Sequence, residues 1–121
     1  TTRELRSGID AVHAFSDEQL ARHGYRRDGG RYAVTARSDD RIMVVCHGGL
    51  LLTWIPHLLD LPVERFWCGF WLPPSSVTTI VIEERSAAWA TPRCTGLGGV
   101  SNLAVAGLRT ATYGRHGRGH A

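Results

Sequence analysis

Residues 41–50 read RIMVVCHGGL, and this stretch decides the fold. Residues 41–46 are a short, continuous apolar run, which is typical of a strand buried on both faces of a sheet. His47 and two glycines follow at once, and residues 50–59 are predicted to form a helix. Pro56 lies inside that helix, where it should kink the helix or break one hydrogen bond. A buried strand followed directly by a helix favours an α/β layered fold.

The segment before this stretch is predicted to be a helix over residues 2–23. Thr1 and Glu4 have the spacing of a capping box, in which each residue satisfies a backbone group of the other. Gly24 is well placed to end the helix in the left-handed conformation. An alternative stays open at residues 16–18, because Ser-Asp-Glu could instead cap a second, shorter helix.

Turn and strand signals define the rest of the chain. Asp28-Gly29-Gly30 favours a tight turn and therefore a hairpin. The predicted hairpin strands are residues 25–27 and 31–34, followed by a loop over 35–40, a short helix from residue 62, and strands over 77–84 and 89–97. Residues 1–107 are predicted to form the folded domain, and residues 108–121 a flexible basic tail.

Composition excludes several classes of protein. The chain has 121 residues, of which 43% are hydrophobic and 21% charged, so it is globular and fits one domain. No apolar stretch reaches the length of a membrane span, and the first residues lead us to expect no signal peptide. The net charge of +3 is concentrated in the tail without interleaved aromatics, so neither a nucleic acid nor a membrane is an expected partner.

The number and spacing of the cysteines indicate the cellular compartment and whether a zinc site is expected. There are three, an odd number, and no pair has Cys-x-x-Cys spacing. This favours reduced thiols in the cytoplasm over a disulfide framework, and it argues against a zinc site. No metal or cofactor is expected. The absence of an initiator Met leads us to expect a processed or truncated piece.

His47 is the residue whose position carries the most chemistry. It ends the predicted strand, where ligands of open α/β sheets bind, and the helix after it offers free N–H groups. A histidine there can donate a hydrogen bond, carry positive charge or transfer a proton to a phosphate or carboxylate. The alternative is a histidine that only caps a turn.

Several motifs together resemble the histidine phosphatase superfamily, the phosphoglycerate-mutase-like proteins. Val44 to Leu50 resembles its second-histidine motif, and Leu72 to Thr78 resembles its loop into a strand. Gly98 to Leu103 resembles its closing Gly-Asp-x-Ser-His-Leu, and similar segments lie at 58–62, 66–67 and 21–32. The resemblance covers roughly residues 5–107, in the order and spacing of the C-terminal half of the domain. It implies a partial three-layer sheet flanked by helices.

The resemblance also implies a phosphomonoesterase or phosphomutase. In that family a first histidine, in an Arg-His-Gly motif, attacks phosphorus, and the second histidine stabilises the transferring phosphoryl group. His47 matches the second histidine, and Gly48 would contribute backbone to the phosphate pocket. Gly99 and Asn102 depart from the family's aspartate and histidine. The nucleophile normally lies upstream of these motifs, so the chain alone is expected to be inactive.

Two Arg-His-Gly triplets could in principle supply the nucleophile. The one at 22–24 sits at a predicted helix end, and the one at 115–117 follows only a weak strand candidate. His116 is therefore the low-probability nucleophile of a swapped or permuted arrangement. His57 is predicted to lie on a helix surface, and His13 to be partly buried.

Three further groups of residues are predicted to have no catalytic role. Cys46 is predicted to pack without redox chemistry. Glu83 and Glu84 are predicted to be solvated, and the tryptophans with Phe66 and Phe70 are predicted to form a core.

The leading hypothesis is phosphate-monoester hydrolysis or phosphoryl transfer on a phosphorylated small molecule. The alternative is a non-catalytic remnant that acts as a binding or assembly module. Strand edges and apolar faces left uncovered by an absent half predict self-association into a homo-oligomer, or pairing with a companion chain.

Overall fold

A computed structural model describes residues 1–111. This part of the chain contains four helices and four strands, which confirms the α/β prediction. In chain order they are α1 (Thr2–Arg22), β1 (Tyr25–Asp28), β2 (Arg31–Val34), α2 (Gly48–Leu59), α3 (Val63–Gly69), β3 (Val77–Glu84), β4 (Trp89–Gly99) and α4 (Ser101–Val105).

Helix α1 begins and ends as its sequence predicts, without a break at residues 16–18. The Thr1 hydroxyl accepts a hydrogen bond from the Glu4 amide at 3.3 Å, and the Glu4 carboxylate accepts one from the Thr1 amino group at 3.0 Å. Gly24 follows the helix at φ +90°, and a Cβ at that position would collide with the backbone carbonyl of Ala36. The glycine is required there because only glycine adopts this conformation freely at such a close approach.

The sheet is antiparallel throughout, with strand order β1-β2-β4-β3. Strands β1 and β2 form the predicted hairpin around Gly29, whose φ is +63°. Strands β3 and β4 form a longer hairpin, paired from Val77↔Gly99 to Glu84↔Ala90. The two hairpins join through only two residue pairs between β2 and β4. Strands β1 and β3 are therefore the sheet edges.

Two apolar clusters hold the elements together. The first lies between α1, α2 and one sheet face, where Ile80 and Ile82 of β3 also pack; its buried members are Leu20, Tyr25, Tyr32, Leu58 and Ala90. The second joins α2 to α3 through Ile55, Phe66 and Leu72. Burying one large apolar side chain contributes about 1.5–3 kcal/mol. The predicted aromatic core is confirmed only in part, because Trp67 and Phe70 are each 45% exposed.

Helix α2 continues through Pro56, which has no backbone N–H, so the helix is uninterrupted but lacks one backbone hydrogen bond at this position. Pro56 is buried, and the helix ends three residues later. Asp60 adopts the left-handed conformation at φ 56°, and the Leu61 amide donates to the Pro56 carbonyl at 2.8 Å. This is the standard way in which a chain closes a helix C-terminus.

The predicted buried strand at residues 41–46 is wrong. No strand forms there, and the apolar side chains are open to solvent: Ile42 is 53% exposed, Met43 90%, Val44 43% and Val45 92%. The apolar pattern predicts a strand only if neighbouring strands exist to pair with it. Among residues 1–111, no strand pairs with residues 41–46.

No helix in residues 1–111 has both the length and the apolar character needed to cross a membrane.

Candidate functional site

His47 lies at the N-terminus of α2 as its N-cap residue, with extended backbone at φ −90° and ψ 157°. Its side chain is exposed and caps no backbone group of the helix. The imidazole has no hydrogen-bond partner within residues 1–111. A histidine with free ring nitrogens is able to donate to, or accept from, a bound ligand.

The first turn of α2 leaves the space in front of the helix open. Leu50 and Leu51 donate their amides to the His47 carbonyl, at 3.1 and 3.3 Å, so the Gly48 and Gly49 amides are the unsatisfied donors of the turn. A Cβ added at either glycine would meet no atom within 4 Å, and no acidic side chain lies in this turn. The amides and the helix dipole together favour an anion here.

The Arg-His-Gly triplet at residues 22–24 has a structural role, as expected. His23 Nδ1 lies 2.8 Å from Asp40 Oδ2, and Gly24 makes the turn out of α1. The hydrogen bond with His23, and a weaker contribution from Ser38, lower the pKa of Asp40. The second triplet, with His116, lies outside the described residues.

His57 is not on the helix surface, so that prediction is wrong. Its side chain is only 9% exposed, and Nε2 lies 2.7 Å from Asp17 Oδ1 on α1. The His13 ring stacks on it with centroids 4.0 Å apart and 14° between planes. Arg27 donates to the His57 carbonyl at 2.6 Å and to the Tyr32 hydroxyl at 3.1 Å. We call His13, Asp17, Arg27 and His57 the interhelix cluster.

Three members of the interhelix cluster, His13, Arg27 and His57, line a cleft of about 340 Å³ between α1, β1 and the C-terminal end of α2. Burial, and then the electrostatic influence of His57, lower the pKa of His13, which is partly buried as predicted. His47 and His57 are ten residues apart on one helix, so they lie about 15 Å apart along its axis. The cluster therefore belongs to the packing of α2, and not to the surroundings of His47.

Glu84 is also less solvated than predicted. It accepts a hydrogen bond from the Tyr25 hydroxyl at 3.0 Å and lies 3.4 Å from Arg37 Nε. Burial, followed by this hydrogen bond, raises the pKa of Tyr25. Glu83 pairs with Arg93 at 3.1 Å. Neither carboxylate forms a hydrogen bond or ion pair with His47.

Two other predictions concern cysteines and metals. Burial raises the pKa of the Cys46 thiol, which disfavours the reactive thiolate. Within residues 1–111, no group of three or more His, Cys, Asp or Glu side chains is arranged to hold a metal ion.

Asn102 stands where the family closing motif has histidine, and it has a partner in the fold. Its side-chain amide donates to the Ser75 carbonyl at 3.1 Å, and Ser75 adopts φ 60°. The contact ties α4 to the turn before β3. Asn102 thus serves as a local brace in the described residues.

The sequence model of the histidine phosphatase superfamily (branch 1) matches residues 10–95. The chain belongs to the histidine phosphatase superfamily. The match includes His47, Gly48, α2, α3, β3 and most of α1. No curated protein and no solved structure gives a match to the chain. Phosphatase or phosphoryl-transfer chemistry is therefore supported at the level of the superfamily.

Proposed function

We propose that this chain contributes the second histidine of a phosphohistidine enzyme that hydrolyses or transfers phosphate monoesters. His47 donates a hydrogen bond to the transferring phosphoryl group, and the Gly48 amide supplies a second donor. The observation that carries the proposal is the position of His47, at an uncapped helix N-terminus inside the family-matched region. A phosphorylated small molecule is the proposed substrate, and the free cysteines favour the cytoplasm as the compartment.

The reaction divides the work between two histidines. A nucleophilic imidazole forms an N–P bond as the ester O–P bond breaks, and water then displaces the histidine from phosphorus. Negative charge builds on the equatorial phosphoryl oxygens during each step. Donors that are already oriented towards that charge lower the barrier most effectively. His47 and the first turn of α2 are suited to stabilising the negative charge on the phosphoryl oxygens.

The nucleophile of this proposal lies beyond residues 1–111. His23 is engaged with Asp40 at the end of α1, and the resemblance assigns the described motifs to the C-terminal half of the domain. A polypeptide that carries the first half is the proposed source. His116 is the less favoured source, because no apolar run precedes it in the sequence.

The second candidate function is a non-catalytic assembly module. The observation that favours it is the exposure of the apolar side chains at residues 42–45, which suits association better than catalysis. The two candidates differ in whether phosphate binds at His47.

Aryl phosphate hydrolysis by the full chain is the activity test, with His47→Ala, His116→Ala and His120→Ala beside it. If the chain is active, His47→Ala should lower the rate by a factor of roughly 10² or more, as loss of an oxyanion donor does. Loss in His116→Ala but not in His120→Ala would identify His116 as nucleophile.

If the chain is inactive, phosphate binding at His47 is measured instead. Inorganic phosphate, titrated against the ¹⁵N-labelled chain, should shift the Gly48 and Gly49 amide resonances, and His47→Ala should weaken that response. A chain that is inactive and shows no shift would refute the phosphate role and leave the assembly module.

A further inference from the structure

The first turn of α2 has few local features that would hold it in place. Gly48 and Gly49 are its first two residues, and the His47 side chain forms no capping hydrogen bond. Glycine stabilises a helix less than alanine does, and this helix lacks the stabilisation that an N-cap side chain gives. A turn of this kind frays unless contacts from elsewhere in the fold stabilise it.

Thr53, one turn further along α2, makes a contact with this turn. Its hydroxyl donates to the Gly49 carbonyl at 3.1 Å, and the residue is buried. A threonine hydroxyl commonly bonds the carbonyl four residues earlier in a helix, and by itself this bond does not stabilise the helix. The effect of the Thr53 hydroxyl on Gly49 therefore depends on what else the hydroxyl contacts.

Trp67 on α3 fixes the direction of the Thr53 hydroxyl. The indole Nε1–H donates to Thr53 Oγ1 at 3.2 Å. An indole N–H is only a donor, whereas a hydroxyl donates one hydrogen and also accepts. Thr53 must therefore accept from Trp67 and give its single hydrogen to Gly49. Hydrogen bonds arranged in a chain like this one polarise and strengthen one another.

Helix α3 is itself anchored, so this chain of hydrogen bonds starts from a fixed point. Phe66, the neighbour of Trp67, is buried in the apolar cluster with Ile55 of α2. The hydrogen bonds thus connect the packed interface between α2 and α3 to the exposed first turn of α2. Gly49 carries one of the two donor amides of that turn, so fixing its carbonyl restricts rotation within the residue that presents the amide.

We propose that Thr53 and Trp67 are positioning residues for the phosphate donors in the first turn of α2. This inference rests on the proposed function, and it adds how the donors of that site are held before phosphate binds. Donors that are oriented in advance need no reorganisation as negative charge develops on the phosphoryl oxygens. Both side chains act through Gly49, without touching the phosphoryl group.

Amide hydrogen exchange in the absence of ligand tests the positioning. Leu50 and Leu51 donate their amides to the carbonyl of the N-cap residue, so they report opening of the first turn. Thr53→Val and Trp67→Phe should each raise these exchange rates, relative to that of the Leu58 amide, by a factor of roughly 3–10, as expected when one hydrogen bond is lost. Thr53→Ser keeps the hydroxyl and should leave this ratio unchanged.

Trp54→Phe is the matched control on the same helix. The Trp54 indole donates to Ser16 Oγ of α1 at 2.7 Å, so the variant removes an indole hydrogen bond beside Thr53 without altering the contact to Gly49. It should leave the exchange ratio at its wild-type value. A wild-type ratio in both Thr53→Val and Trp67→Phe overturns the inference, and so does an equal increase in Trp54→Phe.

The phosphate titration of the Gly48 and Gly49 amides separates this inference from the proposed function. Thr53→Val and Trp67→Phe should raise the dissociation constant for inorganic phosphate about threefold or more, whereas Trp54→Phe should not change it. A wild type that shows no shift overturns the proposed function and, with it, the phosphate role of both residues. Phosphate binding of equal affinity in the wild type and both variants overturns the positioning alone.

Discussion

His13 and His57 place two imidazole rings face to face in the interhelix cluster. Asp17 balances His57 from α1, whereas His13 has no hydrogen-bond partner among residues 1–111. Protonating His13 therefore adds a positive charge beside His57 and Arg27 in a partly buried position. Asp10 and Asp17 offset this charge only in part, because burial and His57 are the larger influences on the pKa of His13.

The lowered pKa of His13 makes stability depend on pH. Since its pKa is below the unfolded value of about 6.5, the unfolded chain binds more protons, so the free energy of unfolding falls as pH drops through about 6.5. We expect the denaturant midpoint to decrease between about pH 7.5 and pH 5.5. His13→Gln should reduce that decrease, and His47→Gln, at an exposed side chain, should leave it unchanged. An identical decrease in His13→Gln would show that His13 contributes nothing to it.

Sequence signals at the level of single residues found some positions and missed others. The capping box and Gly24 are local, so the spacing of a few neighbours was sufficient to predict them. His57 pairs with Asp17, 40 residues away, and no local pattern encodes that contact. His47 was identifiable because it follows an apolar run and precedes two glycines, a motif readable within ten residues.

Secondary-structure elements, like single residues, could be predicted where their sequence signals are local. Helices α1 and α2, the hairpin of β1 and β2, and strands β3 and β4 agree with the prediction because caps, turns and periodicity lie within each element. Residues 41–46 disagree with their strand prediction, because a strand forms only by pairing with neighbouring strands. Helix α4 was not predicted as a helix, since five residues carry little periodic signal. Local signals thus specify elements, and tertiary partners decide whether an apolar segment becomes a strand.

The junction between α1 and β1 depends on Gly24, which gives a prediction for one element boundary. Gly24→Ala should destabilise the fold by about 1–3 kcal/mol, because alanine is strained at positive φ and its Cβ meets the Ala36 carbonyl. Gly8→Ala is the matched control within α1. No atom lies within 4 Å of the new Cβ, so Gly8→Ala should stabilise the helix by about 0.5–1 kcal/mol. Chemical denaturation measures both, and equal effects of the same sign would contradict the argument.

At the scale of the whole molecule, α2 is the element on which both apolar clusters depend. Leu58 packs in the cluster against the sheet, and Ile55 packs in the cluster with α3. The same helix begins at His47 and is fixed to α1 near its other end by the interhelix cluster. Anything that displaces α2 therefore disturbs both clusters and the position of His47 together.

This shared helix predicts cooperative unfolding of the described fold. Ile55→Ala and Leu58→Ala should each lower the free energy of unfolding by about 2–5 kcal/mol, since both side chains are buried. Each variant should unfold in one transition, with tryptophan fluorescence and far-ultraviolet circular dichroism coincident. If Ile55→Ala instead produced an early transition seen only by tryptophan fluorescence, the α2–α3 cluster would be a separate unit. In that case the position of His47 would be fixed by the α1 side of the fold alone.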